Sequence, residues 1–553
     1  MAQSENILLL NLTRMGDLVQ TTPLSVGLSK AYPKASIVLA VVKEFLTAAS
    51  LVEGVDEVVA LDYNALKRIA LTNGSSPLSM VSEAEELLSP LLSRKYKLAI
   101  NLTHSPTSSI LMYLLDAKDK RGLQMTPNGL RSIRHPWMLL FHNFAHNKQI
   151  TPFNLVDIYA MGGDVPNHRE RIPLTIRVPE EAEAWAEKFF RDSLQGDGPV
   201  VAIQAGASDA HKMWHPVSFI RACRILRDAA GARFLFIGGQ QERELAEKIH
   251  ALVDAPGSLV AAGKTDLPQL CALLRRADLM ITNDTGPMHL AAAVGTRVIS
   301  FALGPVFYSN TGPYGEGHIV FQPSVSCAPC SFAVRCVNPE CKNMVTPEAV
   351  ASVALRRLRN EPLFPGCLDD GPEFAGCEVF LSGWGEDGLM DYLPLLSRPR
   401  AFRFTLERAY RRIWGETLVR RQDPPGGDIP VPSRSDRIFG PLAALEKLAS
   451  AGRGAAREIL RRSGTPGKHL DMFRSRLSGI QAASGKIREL GMAIPEVNGL
   501  CQMFAYEEEN MKAADLAGAA GENVAIFGNL LRRTRSLAYL LAEEDGKAQG
   551  GSG

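Results

Sequence analysis

The sequence predicts an α/β protein with two doubly wound, mostly parallel sheets and a mainly helical extension behind them. Apolar strands alternate with helical stretches from Asn6 to about Leu358, the spacing of a parallel sheet with helices on its faces. Two Gly-containing strand-to-helix turns lie far apart in this region, which implies two such sheets. Beyond Leu358 a Pro- and Gly-containing connector leads into long helical stretches.

The elements follow in order. ILLLNL, SIVLAVV, EVVAL and KLAINL are the strands of a first domain, 1–178; Pro179 to Leu194 reads as a helix and Gly196 to Pro199 as a hinge. VVAIQA, RFLFIGG, SLVAAG, LMITN and RVISFA are the strands of a second domain, 195–358. Helices are expected at Phe404 to Arg421, Pro441 to Arg462, Leu470 to Leu490 and Ala517 to Glu544 within an extension at 375–545. QDPPGGDIPVPSRS, Gln422 to Ser435, reads as a linker, and 546–553 as a disordered tail.

With 553 residues the chain exceeds one hydrophobic core. Its 46% hydrophobic and 22% charged residues are an ordinary globular composition, and a formal charge of +2 gives no reason to expect nucleic acid. The N-terminus MAQSENILLLN has no basic region before its first strand, and no apolar run reaches the ~20 residues that cross a bilayer. The expectation is a cytoplasmic protein whose membrane contact, if any, is peripheral. Nine cysteines are then reduced or metal-bound rather than bridged.

Leu279 to Pro305, LMITNDTGPMHLAAAVGTRVISFALGP, is the most informative segment. It reads as strand, turn (Asn283, Asp284, Thr285, Gly286), helix and strand, with Pro287 where a first turn tolerates a missing N–H. Amides at a helix start suit phosphate; an ordinary crossover capped by Asp284 is the plainer alternative. Asn6 to Pro33 repeats the strand, Gly-containing turn and helix.

RMGDLVQTTP, the GAS-x3-KMW stretch from Gly206, NDTGPMHLAAAVGT and TGPYG at Thr311 together resemble glycosyltransferase family 9, the bacterial heptosyltransferases, over roughly Asn6 to Leu358. The resemblance implies a GT-B fold, two Rossmann-like domains facing a cleft. It implies an inverting, metal-independent transferase acting from an ADP-heptose-like nucleotide sugar on a lipopolysaccharide core sugar. A protein or another surface glycan as acceptor, and an inactive nucleotide-sugar-binding scaffold, are the alternatives.

The same resemblance assigns site residues. Asp17, beside Gly16, matches the family's general base; a helix cap is its bland alternative. Lys212 matches the lysine that reaches the donor diphosphate, where a fixed cation replaces a metal. Gly206 and Ser208 belong to the same anion nest. Asp284, Thr285 and Gly286 match the donor-holding Asp-Thr-Gly, and His289 either touches the donor or packs. Glu242 lies where the family places an acid on the ribose, with Glu244 competing for that place. At Asn11 many members carry arginine, and Arg14 is the nearby substitute.

Cys327, Cys330, Cys336 and Cys341 read C-x2-C-x5-C-x4-C, a set that suits structural Zn or Fe, as in the cysteine fingers of some family members, or else stays as reduced thiols. The Arg-rich helices (Arg411, Arg412, Arg420, Arg421, Arg461, Arg462) fit an anionic inner-membrane surface, a homo-oligomer contact or the wet face of a bundle.

Overall fold

Strand β1 (Glu5–Leu10) is buried from Ile7 to Leu10, because a parallel strand is covered on both faces and so reads as an unbroken apolar run. The same holds for β2 (Ala35–Val42) and β4 (Lys95–Asn101); β3 (Glu57–Leu61) and β5 (Asp116–Met125) complete a parallel array in the order β3-β2-β1-β4-β5. These elements belong to a computed structural model that describes residues 5–71, 77–144, 148–194, 196–331, 336–398, 401–424, 438–464 and 469–550.

A short strand, β6 (Arg131–Arg134), precedes the second sheet. That sheet contains β7 (Val200–Gln204), β8 (Arg233–Phe236), β9 (Leu259–Val260), β10 (Leu279–Asn283), β11 (Val298–Phe301) and β12 (Ile319–Pro323), all parallel. Two antiparallel strands, β13 (Cys377–Trp384) and β14 (Met390–Pro394), extend it to the order β14-β13-β12-β11-β10-β7-β8-β9. The two sheets are the two α/β layers that the sequence predicted.

The chain forms two compact units, 1–127 with 153–398, and 128–152 with 399–553. The first extends 40 residues beyond the boundary expected at 358, that is 398 − 358. The reason lies in the sheet: Cys377, Val379, Leu395 and Leu396 share one buried core with Ile299 and Phe321. The helix expected at Pro179 to Leu194 is Glu180–Ser193. At the expected hinge, Gly198 has a Cβ position only 1.9 Å from the Gly231 carbonyl oxygen, so the chain is tightly packed there.

The second unit holds the helices Phe402–Trp414, Phe439–Arg462, Leu470–Ala493, Pro495–Glu509 and Leu516–Gly550. Gly452 lets two of them approach closely, since a Cβ there would lie 2.2 Å from Phe527 Cε1. Arg411 is buried and donates to the Pro152 carbonyl (3.0 Å), while Arg420 pairs with Glu416 at 2.7 Å. Arg411 thus ties its helix to the chain at Pro152, whereas Arg420 makes only a local i,i+4 pair on the surface. The last helix runs into the expected tail; 551–553 and most of the expected linker lie outside the described residues. Among the described residues no helix is long and apolar enough to cross a membrane.

Candidate functional site

The residues singled out in the sequence gather at the carboxyl ends of β1, β7, β8 and β10, where open α/β sheets bind ligands. The helices Met15–Val19 and Gly286–Ala293 start opposite one another. Glycine allows this: a Cβ on Gly16 would lie 3.0 Å from His289 Cδ2, and one on Gly286 would lie 2.2 Å from Met15 Cε.

Asp17 sits in the first turn of its helix, and its Oδ2 accepts a weak bond from the Arg14 amide at 3.4 Å. Its residue surface is partly open, yet its carboxyl lies among poorly solvating groups. Burial is the largest influence and raises its pKa, with Arg14, Thr13 and the Lys212 charge opposing and the Asp284 charge adding to the rise. Tyr159, buried on the helix Leu155–Gly162, also feels the charge of Asp17.

Across from Asp17, Lys212 Nζ donates to Asp284 Oδ2 at 2.6 Å, with the two side chains 16% and 9% exposed. Lys212 ends a short turn capped by Asp209, whose Oδ1 accepts the His211 amide at 2.9 Å. Asp284 does not cap its helix; Thr285 occupies that position. Asn283 secures the loops from beneath, accepting the Trp214 amide (2.9 Å) and donating to the Ala205 carbonyl (2.8 Å).

Glu242 and Glu244 separate clearly. Glu242 accepts from Gln204 Nε2 and the Gly239 amide, each at 2.8 Å, and lies against Gly206, whose Cβ would be 1.9 Å from Glu242 Oε1. Glu244 pairs with Lys248 on the exposed surface at 2.5 Å. His289 is 5% exposed, its Nδ1 has no hydrogen-bond partner among the described residues, and burial depresses its pKa to about 4. It is therefore neutral at physiological pH.

Asn11 is fully buried and donates to Thr21 Oγ1 at 3.0 Å, so it braces the turn from within. Arg14 is exposed and donates to Ser208 Oγ at 3.3 Å, reaching from the first sheet's side to the second's. That bridge was missed although Arg14 and Ser208 each stand in a short motif, because a motif does not show which side chains meet; Tyr159 was missed because it stands in no distinctive spacing. Gln204 had a signal: it is a polar residue ending a buried apolar strand.

The four cysteines come to one place behind the Lys212 turn. Cys330, Cys336 and Cys341 line a cavity with Asp209, His211 and Gly304, and the Cys330 amide donates to the Gly304 carbonyl at 2.9 Å. Burial raises the thiol pKa of Cys330 and Cys341. Among the described residues, however, no three His, Cys, Asp or Glu side chains are arranged to hold a metal ion. The described residues therefore do not support the expected Zn or Fe, and no step of the chemistry is routed through one.

Residues 85–339 match the model of glycosyltransferase family 9 (heptosyltransferase). A lipopolysaccharide heptosyltransferase 3 of Escherichia coli is 27% identical over 318 residues, 55% of this chain and 84% of that protein. The lipooligosaccharide heptosyltransferase 2 of Campylobacter jejuni is 26% identical over 175 residues, 31% of this chain. The chain spans 54% of the length of that relative. In fold, a family 9 glycosyl transferase from Veillonella parvula aligns with a TM-score of 0.51 at 22% identity, covering 65% of this chain and 99% of that one. The two facing sheets make the α/β unit a GT-B fold, and residues 85–339 of the chain are similar to glycosyltransferase family 9.

Proposed function

We propose that this protein is an inverting glycosyltransferase that moves heptose from ADP-heptose to a sugar of the lipopolysaccharide core. The observation that carries the proposal is the pairing, across one cleft, of a carboxylate of raised pKa, Asp17, with the Lys212–Asp284 ion pair at a helix start. In direct displacement the acceptor hydroxyl attacks the anomeric carbon, its proton passes to Asp17, and the bond to the ADP phosphate oxygen breaks. A positioned base of this kind contributes about 10²–10⁴-fold. Lys212 and the amides at Thr285 and Gly286 stabilise the charge that grows on the departing diphosphate.

Arg14 and Ser208 complete the anion site, Glu242 receives the ribose hydroxyls, and His289 offers its unpaired Nδ1 to the donor. The names of the relatives, lipooligosaccharide heptosyltransferase 2 and lipopolysaccharide heptosyltransferase 3, support heptose as the sugar moved and a lipopolysaccharide-type acceptor. Transfer then needs no divalent cation and persists in EDTA. The test incubates the purified protein with ADP-heptose and core oligosaccharide, following ADP release and product mass. Product on a protein but not on the oligosaccharide would move the acceptor class, and ADP binding without any release would make the chain a scaffold.

A further inference from the structure

Within the α/β unit, a buried polar cluster joins the second sheet to the helix Leu155–Gly162 of the first domain. Asp157, fully buried, accepts at Oδ1 from Tyr314 Oη and from Asn167 Nδ2, each at 2.8 Å, and at Oδ2 from the Met390 amide at 2.8 Å. Asn167 Nδ2 also donates to Tyr314 Oη at 2.6 Å, which closes a triad in which the phenol gives its proton to the carboxylate and accepts the amide's second one. One helical turn earlier Asn154 donates to the Gly312 carbonyl (3.1 Å) and to Tyr392 Oη (2.9 Å), and its Oδ1 caps the helix at the Val156 amide (3.0 Å). The acceptors and donors on the far side come from the TGPYG loop and from β14, the strands added beyond Leu358.

The helix held in this way continues to the site. Gly163 lies against Leu24 and Val165 against Gly27 on the helix Thr22–Ala31, which directly follows the helix bearing Asp17. Tyr159, two residues from Asp157 in the same helix, feels the Asp17 charge. An apolar interface would tolerate small slips, because dispersion is not directional. A buried carboxylate must keep its donors, and this requirement fixes a single register.

We propose that Asp157 is a positioning residue for transfer. With Tyr314, Asn167 and the Met390 amide it fixes the register between the Asp17 side of the cleft and the side bearing Lys212 and Asp284. The inference rests on the proposed transferase function. Its consequence is that the hairpin β13–β14 is part of the transfer machinery although it touches none of the reacting groups.

The test uses the full chain with Tyr314→Phe, which removes one hydroxyl and keeps the ring against Trp384, and Asp157→Asn as a second variant. Both are expected to lower kcat by roughly 10–100-fold, the cost of slight misplacement of reacting groups, while the Kd for ADP stays within about twofold of wild type. Hydrogen exchange followed by mass spectrometry is expected to quicken in 155–162 and also in 15–31. Unchanged kcat, or kcat and ADP affinity lost together, would overturn the positioning role. If the wild-type protein transfers nothing from ADP-heptose, the transferase reading fails, and the exchange measurement still decides the clamp: quickening confined to 311–315 would refute it. Should Asp157→Asn not fold, Tyr314→Phe carries the test alone.

Discussion

Replacing Lys212 with methionine keeps the apolar stem and deletes the charge, leaving Asp284, 8% exposed, without its cation. Breaking a fully buried pair costs about 3–5 kcal/mol, whereas an exposed pair is worth about 0–1 kcal/mol. This pair lies in the wall of a cleft, with 16% and 9% of its side chains exposed, so about 2 kcal/mol is expected from these limits. At roughly 2–4 °C per kcal/mol in large domains, the Tm should fall by about 4–8 °C. The double variant Lys212→Met with Asp284→Asn removes both charges and should recover most of that loss. Turnover should remain low in both, since the cation that meets the diphosphate is gone. Differential scanning fluorimetry on the four proteins of the cycle reads the coupling directly. A Tm for Lys212→Met equal to wild type would refute the argument, because the pair would then be a loose surface contact rather than part of a preformed anion site.

Because burial raises the pKa of Asp17, the ionised base is recruited later than for an ordinary carboxylate. The log of kcat should therefore climb with pH through that raised value before levelling, and a flat profile would exclude Asp17 as the base. The same shift makes ionised Asp17 destabilising once pH exceeds its unfolded pKa, so Asp17→Asn should be at least as stable as wild type at neutral pH. His289 works in the opposite sense: its folded pKa of about 4 against 6.5 means that the unfolded chain takes the proton first. Stability falls as pH drops between these values, by about 3 kcal/mol in total, and His289→Gln should flatten that part of a pH-dependent urea titration. Glu242→Ala should weaken ADP binding by roughly 10–100-fold, the value of bonds to a charged group, as isothermal calorimetry can measure. A chain ended after Leu358 should fail to fold, because it strips β13 from β12 and opens the shared core; a soluble, ADP-binding fragment would show that the hairpin is dispensable.

Much of the fold was legible because parallel strands announce themselves as apolar runs, and β1, β2, β7 and β10 lie where those runs stand. The hairpin β13–β14 was not. CEVFLSGW and MDYLP mix polar and apolar residues, as expected of strands added antiparallel at a sheet's edge, and the Pro- and Gly-rich connector before them mimics a domain boundary. The helix Pro495–Glu509 was not among the expected stretches either; it starts two residues after its neighbour ends at Ala493. At the site, Gly16, Asp17, Lys212 and Asp284 were readable because each stands in a short motif. What sequence could not supply was direction: only the fold shows Glu242 turned against Gly206 and Glu244 turned to solvent. The cysteine spacing read as a ligand set; Cys327, Cys336 and Cys341 do lie near Cys330, yet no group of three His, Cys, Asp or Glu side chains that could hold a metal is present among the described residues.

The account stands or falls on Asp17 acting on the acceptor and not on the nucleotide. The deciding measurement compares Asp17→Asn with wild type for heptose transfer from ADP-heptose and for ADP affinity in the same preparation. The expected result is transfer reduced by at least about 100-fold, within the range of general-base catalysis, with the Kd for ADP unchanged. Transfer near the wild-type rate, or a matching loss of ADP binding, would contradict the assignment of the cleft.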